Sequence, residues 1–108
     1  MTTARELMDR ARSKLAENPG LSEQIGATYK FELSGDGGGT WLATLKGTPK
    51  IEETDGPADC TLKLAASDYV ELMEGRVEAP QLFFAGKLVI EGDLGLAMKL
   101  GSLASLLV

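Results

Sequence analysis

Apolar and polar positions in this chain change period repeatedly, and each change marks an element. Ala4, Leu7, Met8, Ala11 and Leu15 recur at helical spacing, which predicts an amphipathic helix with Thr3 and Glu6 as a capping box at its start. Asn18-Pro19-Gly20 stops it, since proline breaks the hydrogen-bond ladder and glycine tolerates a left-handed exit. The period then falls to two. Tyr29, Phe31 and Leu33 alternate with Lys30 and Glu32, and TWLATLKG at 40–47 follows a glycine-rich turn at 35–39, the pattern of a β-hairpin. A short strand is expected over 49–53, where Pro49 and charged neighbours suit a sheet edge. A fourth strand sets Cys60, Leu62 and Leu64 on one face and Thr61 and Lys63 on the other. Next come a short helix over 67–75, capped by Ser67 and left through Gly75, and one helical turn within 76–86. A fifth strand over 87–91 and a closing helix from Leu94, capped by Asp93, complete the order. This predicts a single α+β domain over 1–108: a five-stranded, mainly antiparallel sheet covered by helices on one face.

The closing segment is broader in its apolarity than such a domain needs. Projected at about 100° per residue, 94–108 place Leu96, Ala97, Leu100, Leu103, Ala104, Leu107 and Val108 within about half the circumference, with Met98 and Leu106 outside it. Either the helix is buried against the sheet and a dimer partner, or it and Phe83-Phe84 roof a cavity for an apolar ligand. Met73 and Met98 fit both, being flexible fillers. Periodicity leaves the choice open.

Composition narrows the chemistry. With 44% apolar and 25% charged residues in 108, the chain has the make-up of a soluble globular protein. A net charge of −5 repels nucleic-acid phosphates, so no nucleic-acid partner is expected. Cys60 is the one cysteine and forms no internal disulfide, which fits a reducing compartment. The first twenty residues are charged throughout, unlike a signal peptide, and Lys99 interrupts a closing run too short for a membrane span of about 20 residues. A cytoplasmic location is the expectation. There is no histidine, the usual general base. Glu52 and Glu53 are strand neighbours that point to opposite faces, and Asp59 or Asp68 near Glu71 reads as surface charge. Asp55 and Asp59 lack the spacing of a calcium loop, and nothing supplies a zinc shell. No catalysis, metal or cofactor is expected.

The order of residues from Asp68 to Leu103 carries more. SDYVELMEGRVEAP followed by LFFAGKLVIEGDLGLAMKL resembles the C-terminal half of the sterol carrier protein type 2 family, the non-specific lipid-transfer proteins. Tyr69 takes the family's aromatic position, Leu72 and Gly75 its leucine and glycine, and Pro80 its proline link. Phe83, Phe84, Gly86, Lys87, Leu88, Ile90, Gly92 and Gly95–Leu100 match as they stand. Val89 and Glu91 replace frequent lysines, and the closing SLLV differs from the tripeptide that sends eukaryotic relatives to peroxisomes.

The resemblance implies helices and a five-stranded sheet around a hydrophobic tunnel. It implies a carrier that holds a fatty acid, acyl-CoA, phospholipid or sterol without covalent chemistry, touching membranes at most transiently. The candidate tunnel residues are Leu72, Met73, Leu82, Phe83, Phe84, Leu88, Ile90, Met98, Leu100 and Leu103. Strand parity leaves open which face lines the cavity. Two other readings stand beside this one. One is an interaction module, docking on a partner enzyme or forming a homodimer through Leu103, Leu106 and Leu107. The other is a small α+β isomerase with a carboxylate base in an apolar pocket.

Overall fold

The computed structural model describes residues 2–103. Helix α1 spans Ala4–Glu17 and buries the five apolar residues of its stripe. The Glu6 amide donates to Thr3 Oγ1 at 3.2 Å, so the cap forms where the sequence places it. The Asn18-Pro19-Gly20 stop is instead a junction, because a second helix, α2 (Pro19–Ile25), begins at once. Proline near a helix start gives up an amide that has no partner there anyway. Helix α2 ends at Gly26, whose φ of 64° is left-handed.

Five strands follow: β1 (Ala27–Ser34), β2 (Gly39–Leu45), β3 (Lys50–Glu52), β4 (Cys60–Ala65) and β5 (Val89–Gly92). They form one sheet in the order β3-β2-β1-β4-β5. All pairings are antiparallel except β1 with β4, which run parallel. Parallel neighbours need a crossover, and here 53–59 supplies it. Asp55 of that segment pairs with Lys30 of β1 at 2.8 Å, so the crossover lies on the sheet's polar outer face.

Parity divides the sheet cleanly. Ala27, Tyr29, Phe31, Leu33, Trp41, Ala43, Leu45, Ile51, Cys60, Leu62 and Leu64 are buried on the inner face. Lys30, Glu32, Thr40, Thr44, Thr61 and Lys63 alternate with them and are half-buried on the outer one. Helix α1 lies over the inner face and is tied to edge strand β3, where Arg12 donates from Nε and Nη2 to the Ile51 carbonyl at 3.1 and 2.8 Å. Arg5 reaches Glu53 at 2.7 Å, and its guanidinium carbon lies 5.8 Å from the ring centroid of Trp41.

Helix α3 (Ala66–Met73) leaves β4 without a loop. The strand stays in register with β1 as far as Ala65, which makes Ala65 the cap and puts Ser67 inside the first turn rather than before it. Helix α4 (Ala79–Phe84) follows, its start held by the Glu78 amide donating to Gln81 Oε1 at 2.9 Å. The Lys87 and Leu88 amides both donate to the Leu82 carbonyl, at 2.9 and 3.2 Å, so these residues close the turn after α4 and β5 starts only at Val89. Helix α5 (Leu94–Leu103) closes the described chain. Asp93 Oδ1 accepts from the amides of Gly95 and Leu96 at 2.9 and 3.3 Å, which is the expected cap. Among the described residues no helix is long and apolar enough to cross a membrane.

Candidate functional site

Nothing among the described residues gathers three or more metal-ligating side chains, so the search for a site turns to the space between helices and sheet. Beneath α1 and α3 lies a small void of about 20 Å³ lined by Met8, Ala11, Leu15, Phe31, Ala43, Leu45, Ile51, Tyr69 and Met73. The lining draws on α1, α3 and the inner faces of β1, β2 and β3. Ala11 and Ala43 leave room that larger side chains would fill, and Met8 and Met73 have unbranched chains that re-pack around varied shapes. As it stands the void has room for roughly one water. It is too small to hold an acyl chain.

Two tyrosines border this interior. The Tyr69 ring meets Phe31 edge to face, centroids 5.6 Å apart, and its hydroxyl donates to Met8 Sδ at 3.4 Å. Burial raises its pKa. Tyr29 donates its hydroxyl hydrogen to the Leu96 carbonyl at 2.7 Å and so joins β1 to α5. Its pKa is pushed up to about 12, first by burial and then by the negative potential of Cys60, Asp93 and Asp59. Cys60 is fully buried, as its place in the strand pattern predicts, and burial raises its thiol pKa.

The residues proposed from sequence scatter. Met73 is the one that lines the void. Leu82 and Leu88 are core, and Leu72 and Ile90 are packed against it while partly exposed. Ile90 pairs with Leu62 on the inner face, which settles the parity of β5. Phe83, Phe84 and Met98 are 42%, 85% and 69% exposed, with the two phenylalanine rings in edge contact at 5.7 Å. The side chains of Leu100 and Leu103 lie outside those described, as do residues Leu106 and Leu107. The lining from α1, β1, β2 and β3 was missing from the candidates because the family motif sits in the other half of the chain. The signal was present in the α1 stripe and in the alternation of β1 and β2, whose apolar faces meet.

A family model for the SCP-2 sterol transfer family matches residues 6–105. Rat sterol carrier protein 2 is 40% identical over 86 residues, which is 75% of this chain and 16% of that protein. The chain spans less than a fifth of the length of the curated relatives it matches. The solution structure of the sterol carrier protein domain 2 of Helicoverpa armigera superposes with a TM-score of 0.76 at 27% identity, covering 95% of this chain and 85% of that one. A solution structure of sterol carrier protein-2 from Aedes aegypti in complex with palmitate has the same fold, with a TM-score of 0.79 at 20% identity over 98% of both chains. The chain belongs to the SCP-2 sterol transfer family.

Proposed function

We propose that this chain is a lipid-carrier domain that holds an apolar ligand between α1, α3 and the inner face of the sheet, and performs no covalent chemistry. The observation that carries the reading is the void, whose walls are apolar but for the Tyr69 hydroxyl, itself turned to Met8. Each methylene moved there from water contributes about 0.8 kcal/mol, so a long chain binds with little polar help and low selectivity. Support comes from family membership and from the palmitate complex of the mosquito relative. A cytoplasmic location belongs to the same reading and is supported by the buried, unpaired Cys60.

Delipidated protein is expected to bind a fluorescent long-chain fatty acid. Ala11→Leu fills the void and is expected to weaken binding about tenfold, overpacking of this kind costing about 1–3 kcal/mol, while circular dichroism shows the fold intact. Well-folded protein that binds no fatty acid, acyl-CoA or sterol would sink the reading.

A further inference from the structure

The sheet has two edges, and the fold treats them differently. At β3 the edge is guarded: the strand is short, Lys50 and Glu52 charge it, and Arg12 of α1 donates from Nε and Nη2 to the Ile51 carbonyl. Native sheets blunt their edges in these ways because unpaired amides and carbonyls otherwise template another strand. The β5 edge has no such cover. Val89–Gly92 pairs with β4 on one side only, and among the described residues neither a helix nor a loop gives it a backbone hydrogen bond. Val89 is 49% exposed, and Glu91 and Gly92 beside it are exposed as well. Exposed Phe83, Phe84 and Leu94 flank the strand in sequence.

The order of side chains along this edge is self-complementary. An antiparallel pair sets same-face residues opposite each other, and a two-fold axis between two copies presents the same edge from both. Ile90 projects to the inner face, opposite Leu62, so it has to meet an inner-face residue, and the axis therefore passes through a residue of the strand. Through Glu91 it sets two carboxylates against each other. Through Val89 or Gly92 the two strands hardly overlap, since the amides of Lys87 and Leu88 are already held in the turn by the Leu82 carbonyl. Through Ile90 it puts Ile90 against Ile90 and Val89 beside the aliphatic stem of the partner's Glu91. Lys87 then stands level with the partner's Asp93 and diagonal to the partner's Glu91. Exposed Lys87 joins no ion pair among the described residues, and this register gives it two anionic neighbours at each end of the contact.

We propose that β5 is a docking edge for a second copy of this chain, paired antiparallel about Ile90 so that one sheet runs through both. The ladder is short, so the dimer is of the weak, reversible kind that small interfaces form. Sedimentation velocity on the full chain, from micromolar to millimolar concentration, is expected to show it. Lys87→Glu turns the attractions at both ends into repulsions and should weaken association about five- to tenfold. Lys46→Glu makes the same change of net charge at an exposed site after β2 and should leave association unaltered. Ile90→Cys reports the register: a residue on the axis meets its own copy, so mild oxidation should cross-link it faster than Val89→Cys or Glu91→Cys, with Cys60 buried in every variant. A chain that stays monomeric throughout overturns the proposal, even if β5 takes up an extended peptide of another protein. So does a dimer indifferent to Lys87→Glu.

Discussion

Tyr29 sits with a fully buried ring at the centre of the sheet, yet its hydroxyl reaches the backbone of α5. Deprotonating it would place an anion in a buried, already negative neighbourhood, which is why its pKa is pushed up to about 12. Because the folded-state value lies above the ordinary 10, stability is full below pH 10 and falls as the pH rises through about 12. Urea midpoints measured across alkaline pH are expected to show that decline. Tyr29→Phe should reduce that decline, leaving the part due to the buried Tyr69 and Cys60, whose pKa values are also raised, while costing about 1 kcal/mol at neutral pH for the lost hydrogen bond; an unchanged alkaline slope would contradict the assignment. Phe84 makes the opposite case. At 85% exposed it has little packing to lose, and Phe84→Ala should shift stability by less than about 0.5 kcal/mol in the same assay. Its apolarity reads from sequence as a cavity wall, because periodicity reports which side of an element is oily and not what that side meets. Met73, Leu82 and Leu88 are proposed as cavity wall on the same apolar pattern and are buried, so burial alone separates them from Phe84.

Among elements, the turn from β5 into α5 leaves little room for substitution. Gly92 has a φ of 92°, and a Cβ built there would lie 2.5 Å from the Asp59 carbonyl oxygen. That contact is close because Asp59 is held by three hydrogen bonds to two neighbours: its Oδ2 accepts from the Thr28 amide at 2.9 Å, its own amide donates to the Thr28 carbonyl at 2.9 Å, and its carbonyl accepts from the Asp93 amide at 3.2 Å. Gly92→Ala is expected to cost at least about 2 kcal/mol, combining left-handed strain with displaced backbone. Chemical denaturation checks it; a loss under about 0.5 kcal/mol would show that the turn yields. The sequence made Gly92 and Asp93 readable as turn and cap because both act locally. Helix α2 was not readable, since Pro19 is a stop signal for the helix before it and a start signal for the helix after it. The parallel pairing of β1 with β4 was equally hidden, because nothing local in 53–59 says that the next strand joins the sheet beside β1 rather than beside β3.

At the scale of the whole molecule, every helix that packs on the sheet contributes to one side of it, and the interior between is nearly closed. Opening it for cargo costs helix–sheet packing that the cargo then restores. A ligand at one hundred times its Kd should stabilise the fold by about 2.7 kcal/mol, raising Tm by roughly 10 °C in a domain of this size. Differential scanning fluorimetry with and without fatty acid tests this, and an unmoved Tm at saturation would count against an interior site.

Trp41 gives that opening an optical signature. It is the sole tryptophan, only 2% exposed, beside Phe31 in register and within reach of Arg5 on α1. The protein therefore carries its own fluorophore at the seam between its first helix and the sheet. Emission from the empty state is expected at the blue end of the indole range, and any lifting of α1 admits water and quencher to that one ring. Acrylamide quenching in the presence and absence of cargo would follow the helix without a label.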